Sequence, residues 1–142
     1  MVGYPSGTGL IMRVNLLLFD SAKRCVVIKE LLDLAKLPST ITNENEDMIS
    51  AAHRVIKDII DIPVDNQFIK FHSSVSGVIK EEHDVVFSDY YLYYILPVKY
   101  EGRGLNEGMI WYEVPSTVMF DVESLEHAEL MLTILSVYKN IN

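Results

Sequence analysis

The chain predicts an α/β domain, a mixed β-sheet flanked by helices in an α/β/α sandwich. Three observations predict it. Apolar runs rich in β-formers open the chain and recur in its second half. Between them, a segment near Asp47–Asp61 spaces its apolar residues at helical intervals. A second helical stripe closes the chain. Strands, helix, strands, helix, with no intervening linker, is a layered order. The 142 residues make about one domain, at roughly 100–200 residues each. A hydrophobic share of 49% supplies ample material for a core and excludes a disordered chain.

Residues 1–10, with Gly3, Pro5, Ser6, Gly7 and Gly9, are expected to be a flexible lead-in, leaving 11–142 as a single domain. Met12–Phe19 reads as a buried strand, Asp20–Arg24 as a turn and Cys25–Ile28 as the returning strand of a hairpin. Leu31–Leu37 is leucine-rich and stops at Pro38, and Thr40–Glu46 is polar and loop-like. A helix is expected from near Asp47, with Met48, Ile49, Ala52, Val55, Ile56, Ile59 and Ile60 on its apolar face. Asp61 and Pro63 end it, because proline disfavours helix at the preceding residue.

Further strands are expected at Phe68–Phe71, Val85–Phe87, Tyr90–Val98 and Met109–Val114. Tyr90–Leu96 has strand formers at both parities, as a strand covered on both faces requires. Glu101-Gly102-Arg103-Gly104 is a loop. The last helix is expected over about Ser124–Tyr138, with Leu125, Ala128, Leu132 and Leu135 as its stripe. Ser124 with His127 is half a capping box, since histidine stands where Glu or Gln closes it.

The net charge of −8 disfavours broad nucleic-acid binding or an anionic membrane surface, because like charges repel. It leaves room for one small anionic ligand in a local pocket. Cys25 is the sole cysteine, so it forms no internal disulfide and reads as a core thiol suited to a reducing cytoplasm. No apolar run approaches the roughly 18–20 residues that span a bilayer. No signal-peptide pattern opens the sequence. A cytoplasmic protein is the expectation. His53, His72, His83 and His127 lack zinc-ligand spacing. Glu81-Glu82-His83-Asp84 reads as a solvated hairpin turn, with a metal or general-base cluster as its alternative. No G-x-S-x-G is present, and no glycine-rich phosphate loop in its strand–loop–helix context.

Leu37–Ile62 reads LPSTITNENEDMISAAHRVIKDIIDI. Without a gap it resembles the Nudix box, G-x5-E-x7-R-E-U-x-E-E-x-G-U, where U is aliphatic. Glu46 falls on the first glutamate, Arg54 on the arginine, and Ile56 and Ile62 on the aliphatic positions. Thr40 and Asp61 replace the two glycines, Val55 replaces the glutamate after the arginine, and Asp58 and Ile59 replace the paired glutamates. The flanks are similar too: an apolar hairpin before the box, then Met109-Ile110-Trp111-Tyr112-Glu113-Val114-Pro115 and a closing helix. The resemblance covers nearly all the chain after the lead-in.

The resemblance implies cleavage of diphosphates linked to another group, with Mg2+ or Mn2+ held by glutamates on one helix face. Divalent cations of this kind need carboxylate oxygens. Residues four apart share a helix face, and here that spacing falls on aliphatic Val55 and Ile59. The leading expectation is therefore a degenerate Nudix-fold protein that binds a nucleotide-like ligand or a protein partner without catalysis. Glu46, Arg54 and Asp58 are its residual box positions. Each also has a plainer reading: Glu46 as a helix-start charge, Arg54 as a partner for Asp58, and Asp58 as a solvated carboxylate. Tyr91, Tyr93 and Trp111 are candidate ligand-stacking residues. Val55 and Ile59 are a candidate partner surface, with coverage by the chain itself as the other reading. No cofactor is expected, and a homodimer is. The alternative is a divergent pyrophosphohydrolase that holds Mg2+ or Mn2+ through Asp58, Glu81 and Glu82. A third reading, a sequence-selective RNA binder, is opposed by the net charge.

Overall fold

Thr8–Phe19 (β1) is the strand on which the sheet is built. It runs parallel to Asp84–Ile95 (β6) along its whole length, from Thr8↔Asp84 to Phe19↔Ile95. On its other edge, Phe19 pairs with Cys25 of β2 (Arg24–Lys29), and Arg13–Asn15 pair with β4 (Ser39–Ile41). Short β3 (Ala35–Lys36) and β7 (Met109–Glu113) add to β2, and β5 (Lys70–Lys80) pairs antiparallel with β6. The result is one mixed sheet of seven strands with two helices, α1 (Met48–Ile59) and α2 (Leu125–Asn140). This computed structural model describes residues 8–22, 24–29, 35–80, 84–113 and 125–141.

The period-two alternation of strands sorts the core into two layers. Val14, Leu16, Leu18, Val26, Leu92 and Tyr94 pack with Ala51, Ala52, Val55, Ile56 and Ile59 of α1. Leu17, Phe19, Cys25 and Val27 pack with Leu130, Ile134 and Val137 of α2. β1 and β6 are thus covered on both faces, which is why they carry strand formers at both parities. The expected sandwich is the one observed. Burial pushes the Cys25 thiol far above its usual range. None of the described helices is long and apolar enough to cross a membrane.

Several boundaries differ from expectation. β1 starts at Thr8, so the last three residues of the expected lead-in pair with β6. Residues 1–7 lie outside the described residues. Ser39–Ile41, expected in or beside a loop, is a strand because β1 offers it an unpaired edge. Phe68 belongs to a 3-10 turn, Asn66–Phe68, and the strand runs from Lys70 to Lys80 instead. Val85–Phe87 and Tyr90–Val98 merge into β6, which ends before Pro97, and Val98–Tyr100 form a second 3-10 turn. Proline cannot supply a ladder donor. Residues 31–34, Val114 and Ser124 lie outside the described residues.

Candidate functional site

The loop–helix from Thr40 to Ile62 is held by side chains at both ends. At its start, β4 pairs with β1, and the Thr42 N–H donates to the Met12 carbonyl at 2.9 Å. The chain then turns through Asn45, whose φ of 60° is the left-handed conformation asparagine tolerates. Asp47 caps α1, accepting from the Ser50 N–H at 2.7 Å, a bond that holds its carboxyl below the usual range. At its end, Asn106 donates from its backbone to Ile59 O and from its amide to Asp58 O. Lys57 donates to Ile62 O at 2.7 Å, and Arg103 to Asp61 O at 2.9 Å. Orphan carbonyls at a helix end need such partners.

Arg54 is the centre of this element. Its guanidinium donates to both Glu46 carboxylate oxygens, at 2.7 and 2.8 Å. It also donates to Thr40 Oγ1 and to Ile41 O, each at 3.2 Å. One side chain thereby ties helix, loop and strand together. Glu46 accepts a further bond from the Asn43 N–H at 2.9 Å. The Arg54 hydrogen bonds, with that backbone bond, hold the Glu46 carboxyl down to about 2. The expected Arg54–Asp58 pairing gives way to Glu46. Asp58 is exposed, and its negative charge is the smallest of the influences that raise Arg54's pKa.

Solved structures share this fold. The E. coli dihydroneopterin triphosphate pyrophosphohydrolase aligns over 91% of this chain and 95% of its own, with a TM-score of 0.63 at 14% identity. A MutT/nudix family protein from Enterococcus faecalis aligns over 99% of this chain, which spans 64% of that protein, with a TM-score of 0.63 at 13% identity. The C. elegans Ap4A hydrolase aligns over 92% and 98%, with a TM-score of 0.54 at 14% identity. The chain has the Nudix fold. No protein-family model matches the sequence, and no curated protein matches it.

Within the Nudix fold, metal chemistry asks for carboxylates on one face of the box helix. Here Val55 is 3% exposed and Ile59 is 0% exposed, and both pack into the α1 layer. Of the two readings of this face, coverage by the chain's own sheet is the one observed, and Val55 and Ile59 are not a partner surface. The helix keeps only Asp58, and Glu46 is committed to Arg54 and Asn43. Among the described residues no three His, Cys, Asp or Glu side chains converge. Among the described residues, the donors of the box helix and its loop do not fit a divalent cation. Glu81 and Glu82 lie outside the described residues. Neither Thr40 nor Asp61 has a positive φ, so the backbone at these positions does not require glycine.

The aromatic candidates are divided by the sheet. Tyr91 and Tyr93 pack on the α2 layer and Trp111 on the α1 layer, where the Arg24 guanidinium lies 5.0 Å from its ring. They form no common platform, because Trp111 takes the opposite parity of sheet positions.

Two further polar clusters lie on the sheet away from the box. Arg13 donates to both oxygens of Asp89 at 2.6 and 3.1 Å, and Asn15 donates to Asp89 at 3.0 Å. Arg13 holds the Asp89 carboxyl below its usual range, against the opposing effect of burial. Arg13 stood as a lone charge in an apolar run, but Asp89 fell between two expected strands, and the parallel register that makes the two direct neighbours was not readable. On β5, a bulge lets His72 and Ser73 share a side, and His72 also meets Asn140 of α2.

Proposed function

We propose that this Nudix-fold chain is a binding domain that does not hydrolyse diphosphate linkages, and that its ligand is a nucleotide-like small molecule. One observation carries the reading: two positions that the box assigns to metal-binding carboxylates hold buried aliphatic side chains, Val55 and Ile59. A hard cation gains nothing from a methyl group. The Glu46–Arg54 bracket ties the loop to the helix through protein contacts and commits the Glu46 carboxylate to Arg54. Solved neighbours bear the names Ap4A hydrolase and dihydroneopterin triphosphate pyrophosphohydrolase, which support a phosphate-bearing heterocycle as the ligand class. A second copy of the chain remains the expected partner, through a surface other than Val55 and Ile59.

The test is thermal denaturation with nucleoside mono-, di- and triphosphates and nucleoside-diphosphate sugars, with and without Mg2+ or Mn2+. A metal-independent rise in Tm with one ligand class is the expected result. Stabilisation that requires the metal would support the pyrophosphohydrolase reading instead.

A further inference from the structure

The pairing of β5 with β6 begins at Lys70↔Tyr93. Before it, the chain turns through Asn66–Phe68, where the Ile69 N–H bonds Asn66 O at 3.1 Å. β5 therefore leaves the last residues of β6, Tyr94 and Ile95, without a strand partner on that edge. A cleft of about 440 Å3 opens there, lined by Phe68, Lys70, Tyr93, Tyr94, Ile95 and Pro97. Its size falls within the roughly 300–1,000 Å3 of small-molecule sites.

The lining has an unusual balance. Phe68 is 57% exposed and Ile95 is 51% exposed, and Val98 just beyond is 73% exposed. Apolar exposure concentrated in one place marks a binding site. Three of the six lining residues are aromatic, and a flat ring gains offset-stacked or edge contacts from such walls. The lining has one cation, Lys70, and no carboxylate. Lys70 makes no salt bridge among the described residues. In a chain of net charge −8, a lining whose only charge is positive favours an anion at Lys70, while Asp65, outside the lining, acts on the Tyr94 side of the cleft. A single ammonium on a flexible stem is a point charge, matched to one negative charge rather than to a polyphosphate.

We propose that this cleft binds a small aromatic molecule carrying one negative charge, its rings against Phe68, Tyr93 and Ile95 and its anionic group at Lys70. The site lies outside the box segment and stands whether or not the chain hydrolyses diphosphates.

The probe is 1-anilinonaphthalene-8-sulfonate, compared with N-phenyl-1-naphthylamine, which has the same rings and no sulfonate. Fluorescence titration of the native chain is expected to show one saturable site that prefers the sulfonate. Lys70→Gln is expected to weaken the sulfonate about three- to five-fold, the upper range for an exposed charge pair, and to leave the neutral probe unchanged. Ile95→Asp is expected to abolish binding of both. Val75→Asp, at an exposed residue of β5 that lines a different cleft, is expected to change neither. Circular dichroism checks that each variant folds, and Phe68→Ala replaces Ile95→Asp if that one does not. Equal affinity of the native chain for both probes would overturn the proposal, as would a sulfonate affinity indifferent to Lys70→Gln. So would sedimentation showing that Ile95→Asp converts a dimer to a monomer while neither form binds a probe, because a second copy then covers the cleft.

Discussion

Restoring the box glutamate at Ile59 tests whether that helix face is core. Ile59 is 0% exposed and packs against the sheet with Val55, Ile56 and Ala52. Ile59→Glu loses the roughly 1.5–3 kcal/mol of burying a large aliphatic side chain. It also places a carboxyl where no donor waits, which costs a further ~1–3 kcal/mol even in neutral form. The sum is about 3–6 kcal/mol before any cost of charging, which adds to it at pH 7, and is a large share of the roughly 5–15 kcal/mol that stabilises a domain. Urea denaturation reads it directly: at a slope near 2 kcal/mol/M, the midpoint falls by about 1.5–3 M. The pH dependence supplies an independent check. Burial raises a carboxyl's folded pKa, so the charging penalty is absent below the unfolded value, grows as pH rises past it and levels off above the folded value. Ile59→Glu is therefore expected to be less destabilised at pH 4 than at pH 7. A midpoint within about 0.5 M of the native one at pH 7 would refute the burial argument and show that this face tolerates a charge.

Three other perturbations follow from the same contacts. Glu46→Gln is expected to cost about 1 kcal/mol at pH 7, modest because Arg54 is partly solvated. The native chain loses this contribution as pH falls from the ordinary 4.5 toward about 2, so native and variant denaturation midpoints converge at acid pH. Asp89→Ala strips Arg13 and leaves the buried Asn15 amide with only Tyr90 O at 3.3 Å, an expected loss of about 1–3 kcal/mol by denaturant titration. Cys25 is fully buried and its thiol is held protonated. Its reaction with a thiol reagent is expected to follow the unfolding curve, with no fast labelling of the folded chain.

The layers of the fold were legible because periodicity is local. The 3.6 spacing of Ala52, Val55, Ile56 and Ile59 fixed α1, and the doubled parity of Tyr90–Leu96 fixed β6 as an inner strand. Proline marked the limits of both elements. β4 was not legible, because its three residues form a strand only by adding to the edge of β1. Nor was the Phe68–Pro97 cleft, which arises where two elements diverge rather than from any motif. In the box, loss of carboxylates at Val55 and Ile59 was visible from sequence, but whether they faced a partner or the core depended on the sheet beneath. Arg54 likewise had several carboxylates within sequence reach, Asp58 and Glu46 among them. Asp58 was the closer in sequence, and the loop turn at Asn45 delivers Glu46 instead.

The altered box helix is expected to support no metal-dependent hydrolysis. The most direct measurement is turnover of nucleoside-diphosphate sugars, dinucleoside polyphosphates and nucleoside triphosphates by the purified chain with Mg2+ or Mn2+, with Asp58→Asn alongside. No release of mononucleotide or phosphate above the protein-free rate is the predicted result. Metal-dependent release that disappears in Asp58→Asn would contradict the claim and show that one helix carboxylate, with groups elsewhere in the chain, is enough.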